Sequence, residues 1–419
     1  MSETLPGPAP APTTDTVPPR TIASIGEVLD VARSLLPSLS EGAAERDRDR
    51  VLPHGPVREI SRSGLLGITV PRELGGLEAP ASVVAEVLRL FGTVDLSLAQ
   101  ILQPHFSFLN ALRLRGGRPA RERVYGDVLA GSLVSNAQAE RSGRTAHTHT
   151  TRIEPDGDHH IVDGTKYYAT GSLFADWLAV VAPAPTPEGP RPHIAFVRAD
   201  DPRVRIEDDW AGMGQRTTAS GTVHLSGVRV APEFVLEQYR TFEGPITYGA
   251  HAQLLHTAID VGAARGALEE AAEFVRTKSR PWFESGVDHA TEDPLLVHRF
   301  GELEVLVRSA EALLETAAAR VDVADTTPMD EDPRAAETTT TEASIALAAA
   351  KVVGGRAAVD VSSALFEVAG TRATADAAGL HRHWRDTRTH TVHDPVRWKV
   401  QHIGEYSLNR RRPPRHGQI

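Results

Sequence analysis

The sequence predicts an α+β fold in which a helical region, a β region and a second helical region follow one another. Three observations carry this. Apolar residues recur at helical spacing from 22 to about 129, the period shortens to that of strands from about 130 to 241, and helical spacing returns after about 242. The expected units are a disordered tail at 1–21, an N-terminal helical domain at 22–129, a central β domain at 130–241, and a C-terminal helical bundle with its end segment at 242–419.

The tail, MSETLPGPAPAPTTDTVPPR and Thr21, is rich in Pro, Thr and Ala and has no periodic apolar residues to bury. In VLDVARSLLPSL, residues Val28, Val31, Leu35 and Leu39 fall on one helical face. ASVVAEVLRLFG repeats the pattern with Val83, Val84, Val87, Leu88 and Phe91, and Ser82 is expected to cap its start. Between them SGLLGITVPRELGG is a junction punctuated by Gly64, Gly67, Gly75 and Gly76.

In the β region, IVDGTKYYATG, WLAVVAPA, HIAFVRA and GTVHLSGVRV are short, β-branched and bounded by turn residues, as expected of antiparallel strands in a small sheet or barrel. Asp156 and Gly157 in EPDGDHHIV mark a hairpin turn. The stretch from Asn136 onward places the hydroxyls of Thr165, Thr170 and Ser172 near an exposed-type Trp177, and by itself reads as an ordinary meander. Beyond it, Phe300, Leu303, Leu306, Val307, Ala310, Leu313, Leu314, Ala317 and Val321 form a long stripe that needs partner helices. TTPMDEDPRAAETTTT is expected as an exposed loop, and ASIALAAAKVVGGRAAVDVSSALFEVAG as a closely packing helix.

Composition narrows the function. There are 45 Lys and Arg against 55 Asp and Glu, a formal charge of −10, which argues against nucleic acid as the main partner. The absence of Cys excludes disulfides, Cys-ligated zinc, iron–sulfur clusters and thiol catalysis. No apolar run approaches the roughly 18–20 residues that span a bilayer, and the start lacks a basic and an apolar signal-peptide region. The expectation is a cytoplasmic protein that binds neither membrane nor nucleic acid. GxGxxG, Walker, HExxH and GxSxG motifs are absent.

The chain has 18 His, and His381, His383, His390, His393 and His402 crowd into HRHWRDTRTHTVHDPVRWKVQH. His390 and His393, three apart, would share a helix face. Neighbouring Arg382, Arg385, Arg388 and Arg397 disfavour a bound dication, so no metal is predicted. A solvated basic face and proton-handling histidines in a pocket both remain open at this point.

Three segments carry a family resemblance. DGTKYYATGSLFADWLAVVA, MGQRTTASGTVHLSGVRVAPEFVL and SGLLGITVPRELGG resemble, in this order and spacing, the acyl-CoA dehydrogenase superfamily over nearly the whole chain after the tail. The resemblance implies an N-terminal helical domain, a central antiparallel β-barrel and a C-terminal four-helix bundle, usually assembled as a homotetramer, with a homodimer as the alternative. Two features depart from the dehydrogenases. Their Tyr-Glu-Gly, whose Glu removes the substrate's α-proton, corresponds to His393-Asp394-Pro395. Their Gly-Gly pair beside the FAD adenosine corresponds to Glu367-Val368.

HWRDTRTHTVHDPVRWKVQHIGEYSLN and SRPWFESGVDHATEDPLLVHRFGEL resemble instead the branch of flavin-dependent monooxygenases typified by the dibenzothiophene and related sulfur-compound monooxygenases. That resemblance implies reduced FMN, with FAD as the alternative, supplied by a separate flavin reductase. It reacts with O2 to a C4a-hydroperoxyflavin, which oxygenates a small apolar, aromatic or heteroatom-containing substrate. His105 in QPHFSF would be a pocket histidine beside the flavin, where the residues alone suggest a core histidine; Asn136 would be the pocket amide, Thr170 the hydroxyl near flavin N5, and Trp210 the aromatic wall. His393, with His390 beside it, would contact the peroxide, and Arg280 in SRPW would reach a neighbouring subunit's flavin phosphate. Two other readings stand: an FAD-dependent acyl-CoA dehydrogenase with Asp394 as base, and a non-catalytic scaffold with a dead flavin site.

Overall fold

The computed structural model describes residues 18–141, 149–328 and 331–419. The predicted tail up to residue 17 lies outside them. Six helices come first: α1 (Ile25–Ser40), α2 (Ala43–Asp49), α3 (His54–Arg62), α4 (Ala81–Val94), α5 (Leu96–Arg115) and α6 (Arg118–Leu129). Eight strands follow: β1 (Val134–Ala137), β2 (Arg152–Asp156), β3 (His159–Ala169), β4 (Trp177–Ala184), β5 (Arg191–Arg198), β6 (Val204–Glu207), β7 (Gly221–Val230) and β8 (Val235–Leu236). The chain ends in α7 (Tyr248–Thr277), α8 (Pro294–Thr326), α9 (Pro333–Ala369), α10 (His381–Thr391) and α11 (Arg397–Asn409).

The expected apolar faces are the ones buried. Val28, Val31, Leu35 and Leu39 of α1 join Val83, Val84, Val87, Leu88 and Phe91 of α4 in one core that continues through Leu303, Val307, Ala310, Leu314, Ala317 and Val321 of α8. Small residues let α4 lie against α7. A Cβ on Gly262 would fall 2.2 Å from the carbonyl oxygen of Arg89, and one on Gly266 2.1 Å from that of Thr93. α7, α8 and α9 pack side by side, and the shorter α10 and α11 lie on α9. α7 also packs on its other side against α4, which joins the C-terminal helices to the N-terminal ones.

The β region differs from a closed antiparallel barrel. It consists of two four-stranded sheets, ordered β1-β4-β5-β8 and β2-β3-β7-β6. Side chains of both, among them Val162, Leu178, Val180, Ala195, Val223 and Leu225, share one core. β1 and β4 pair in parallel. The chain crosses through the β2–β3 hairpin of the other sheet between them, and such a crossover lets two strands run the same way.

Four local expectations are corrected. Pro80, not Ser82, is the cap residue of α4, and the backbone N–H of Ser82 is taken by Asp322 of α8 at 3.2 Å. Trp177 is buried: its Nε1–H donates to Asp127 at 3.0 Å and its ring stacks on Phe234. The segment PRAAETTTT is the start of α9, not a loop. Asp332 accepts the N–H of Ala335 at 2.9 Å, Pro333 needs no donor in the first turn, and the Thr338 and Thr339 hydroxyls fold back on carbonyls four residues earlier. Finally, α10 ends at Thr391, so His393 lies beyond the helix that holds His390 and shares no helical face with it.

Candidate active site

The site lies where the β region meets α5, α7 and α10. His105 of α5 fixes one corner. Its Nδ1 accepts the N–H of Val134 at 3.1 Å, so the proton is on Nε2, which donates to the carbonyl of Leu66 at 2.9 Å. This pins β1 to α5. One residue along β1, the hydroxyl of Ser135 donates to the carbonyl of Thr170 at 2.5 Å. Gly171 packs against Ile101 of α5, and its N–H reaches the carbonyl of Thr218 at 2.8 Å.

Around Thr170 the side chains form a chain of hydroxyls. Its Oγ1 lies 2.9 Å from Oγ of Ser220, which lies 2.7 Å from Oγ1 of Thr218, and Thr218 donates on to the carbonyl of Gln215 at 3.0 Å. The backbone here is strained: the non-glycine residues Tyr168, Gln215 and Ala219 have φ of 56°, 48° and 48°. Such outliers persist where surrounding contacts over-determine them, often at functional sites. Trp210 closes the outer side, with Nε1–H on the Gln215 carbonyl at 2.7 Å and its ring edge-on to Tyr168. Buried polar atoms here lack a partner: Oδ1 of Asn136, Nε2 of Gln215 and, on α10, Oγ1 of Thr387.

α10 is bolted to this loop. The carboxyl of Asp386 takes the N–H of Gln215 at 2.5 Å, and Arg385 donates to the carbonyl of Met213 at 2.8 Å. One turn later, His390 is buried, with Nδ1 2.5 Å from Oδ1 of Asp260 on α7 and Nε2 3.1 Å from Nδ1 of His256. Lys351 of α9 donates to the other oxygen of Asp260 at 2.8 Å. Burial alone would raise the Asp260 carboxyl, but Lys351 and His390 hold it down to about 2. The ring of His393 lies tilted against that of His256 with centroids 4.4 Å apart. One side of His393 stays open. Desolvation of the rest, then His390, Lys351 and Lys399, pushes its pKa down to about 4, against Asp394. Asp394 is buried and ion-paired with Lys399, which also donates to the carbonyl of Gln418 at 3.0 Å.

The sequence-predicted residues thus separate into groups. Asn136 and Thr170 are held together through Ser135; His390 and His393 meet through His256. The two groups are joined by the Gln215–Asp386 hydrogen bond, with Trp210 on the first side. His105 is the exception. It is fully buried with both nitrogens committed to backbone, and burial pushes its pKa down to about 4. It is a core histidine that positions β1, with no nitrogen free to serve a pocket ligand. Arg280 follows the end of α7, exposed, with no acidic partner among the described residues. His256, Asp260, Lys351, Lys399, Thr218 and Ser220 were missed. The one signal for the first two was a His and an Asp four apart in the otherwise apolar LLHTAIDVGAA, which puts both on one face of a helix.

Residues 27–132 match the family model "Acyl-CoA dehydrogenase, N-terminal domain", and residues 254–398 match "Acyl-CoA dehydrogenase, C-terminal domain". The dibenzothiophene monooxygenase of Mycolicibacterium goodii is 32% identical over 400 residues, covering 93% of this chain and 95% of that one. The FMN-bound structure of TdsC from Paenibacillus sp. A11-2 superposes with a TM-score of 0.86 at 32% identity, over 94% of this chain and 100% of the other. The methanesulfinate monooxygenase MsuC from Pseudomonas fluorescens superposes with a TM-score of 0.84 at 29% identity, over 93% and 99%.

Proposed function

The chain belongs to the acyl-CoA dehydrogenase family, among its flavin-dependent monooxygenases, and we propose that it oxygenates a small, sulfur-containing or aromatic substrate with reduced FMN and O2. One observation carries the choice over dehydrogenation. Asp394, at the position of the dehydrogenases' base, is buried in an ion pair with Lys399, and Lys351 and Lys399 hold its carboxyl below the usual range. A carboxylate so paired is a weak base with no access to a substrate's α-proton. Glu367 on α9 points outward to Arg299, where a dinucleotide's adenosine would need close backbone approach. That favours FMN over FAD.

The residues present fit a flavin. Unpartnered buried atoms of Asn136, Gln215 and Thr387 supply acceptor and donor positions for a ring system rich in both. Asn136, Thr170 and Trp210 would hold the ring, and Arg280 the phosphate of a flavin on a neighbouring subunit, since guanidinium forks match phosphate oxygens. When bound, reduced FMN activates O2 and delivers one oxygen atom to substrate while the other leaves as water. The hydroxyl of Thr170 hydrogen-bonds through Ser220 and Thr218 and so is oriented before any ligand arrives. His393, with one side open and a low pKa, is a neutral imidazole near pH 7 that can donate or accept. Thr170 is buried, and excluding water there limits the diversion of reduced oxygen to hydrogen peroxide. A flavin reductase is the natural partner, and the subunits are expected to assemble as a homotetramer. No helix among the described residues is long and apolar enough to cross a membrane.

The test is to mix the protein anaerobically with photoreduced FMN, add oxygen with a panel of organic sulfides, sulfinates and fused aromatics, and quantify oxygenated product and hydrogen peroxide. Product should appear and peroxide fall for at least one compound. Peroxide equal to the flavin consumed across the panel, or bleaching of bound oxidised flavin by an acyl-CoA, would sink the proposal.

A further inference from the structure

Behind His393 runs a line of buried polar groups drawn from three helices. Lys351 and His390 both donate to Asp260, at 2.8 and 2.5 Å, and His390 meets His256 at 3.1 Å. Their exposures are 4% for His256, 0% for Asp260, 1% for Lys351 and 2% for His390. Nε2 of His256 has no partner among the described residues, and the ring lies against His393. The other charges facing this line are Asp394 and Lys399, which neutralise each other.

The protonation pattern follows from donor counting. An ionised Asp260 can only accept, so Nδ1 of His390 must carry a proton. One proton then remains between Nε2 of His390 and Nδ1 of His256. It is on His256 when His390 is neutral and on His390 when His390 is an imidazolium. A proton taken up at Nε2 of His256 therefore pushes the Nδ1 proton across to His390, where the charge rests opposite Asp260. The reverse movement returns it.

We propose that Asp260, His390 and His256 form a proton store behind His393, with Lys351 keeping Asp260 ionised, and that it supplies the proton taken up when the second oxygen atom leaves as water. The proposal rests on the monooxygenase reading above. His256 and Asp260 are positioning and relaying residues in it, acting through His393.

His256→Asn separates relay from scaffold, because an Asn amide can still donate to His390 from the place of Nδ1 but cannot pass a proton through. The expected result is at least a fivefold fall in product per reduced FMN, steepening as pH rises from 6 to 9, with FMN affinity and thermal midpoint unchanged. Wild-type coupling in this variant overturns the store. Should His256→Asn fold poorly, rescue of His256→Ala coupling by added imidazole takes its place, and absence of rescue is equally fatal. An activity-free readout is calorimetry of anaerobic reduced FMN binding in two buffers of different ionisation enthalpy. The wild type should take up a fraction of a proton that the Asn variant does not, and equal uptake overturns the proposal. If the wild type gives no oxygenated product at all, the functional reading fails, while the calorimetric comparison still decides the store.

Discussion

Asp386 of α10 accepts a hydrogen bond from the backbone N–H of Gln215 at 2.5 Å, and this contact holds the helical half of the site against the β half. Burial, then the nearby carboxylate of Asp47, pushes the Asp386 carboxyl up to about 7. In the unfolded chain it titrates near 3.9. Between about pH 4 and 7 the native state keeps a proton that the unfolded state has lost, so stability falls as pH rises through this window. Asp386→Asn keeps the acceptor for Gln215 and removes the titration. Its thermal midpoint should be flatter than wild type's from pH 5 to 8 and higher at pH 8, by on the order of a few kcal/mol of stability. Parallel profiles for the two proteins would refute this.

His105 tests the distinction between positioning and chemistry. Phe at this position keeps the ring's shape but leaves the carbonyl of Leu66 and the N–H of Val134 unpaired in the core. The loss should be about 2–4 kcal/mol, seen as a lower midpoint in urea. Product per reduced FMN in the folded enzyme should stay within about twofold of wild type. A large loss of coupling at unchanged stability would return His105 to the reacting centre.

What the sequence disclosed tracks how local each signal is. The stripes of α1, α4 and α8 are periodic, and burial followed them, with Phe300, Leu306 and Leu313 of the α8 stripe only partly buried. Thr170, Asn136 and Trp210 were reached through motif resemblance and lie on one connected network around Ser135 and Gln215. Pairings between distant segments were not legible. Nothing local announces that Lys351 meets Asp260 across 91 positions, or that β1 pairs in parallel with β4. Trp177 misled because an aromatic beside Asp176 looks solvent-facing until Asp127 of α6 arrives to take its indole N–H. His105 misled because a neighbouring sequence motif says nothing of which side of a fully buried helix a residue faces.

Thr170 belongs to the hydroxyl chain of the β region and His393 lies against His256 beyond α10, so their variants test the two groups of the site separately. In each of Thr170→Ala and His393→Ala, hydrogen peroxide formed per FMN should rise, with product falling roughly tenfold or more, the scale seen when one preorganised donor is removed. Flavin affinity should change little. Thr170→Ser retains the hydroxyl and its contact with Ser220 and should keep most of the coupling. Unchanged peroxide in both Ala variants would show that the reacting oxygen lies elsewhere.

Asp394 and Lys399 are buried to 4% and 3% exposure; among the described residues Lys399 donates to Asp394 and to the carbonyl of Gln418, and Oδ1 of Asp394 has no hydrogen-bond partner. Lys399→Met removes the cation and leaves the carboxylate charged in a dry setting, which costs about 3–5 kcal/mol for a buried pair broken on one side. Because the folded carboxyl titrates below its usual range, the stabilisation it provides is present above about pH 4 and is lost as pH falls. The Met variant should therefore lose most of that acid sensitivity along with its stability at pH 7. Adding Asp394→Asn to Lys399→Met removes the stranded charge, so the double variant should recover more than half of the lost midpoint. It should also still oxygenate substrate, since a residue spent on an ion pair takes no part in the chemistry. Loss of oxygenation in a double variant whose thermal midpoint has recovered would make Asp394 a participant and reopen its role as a base.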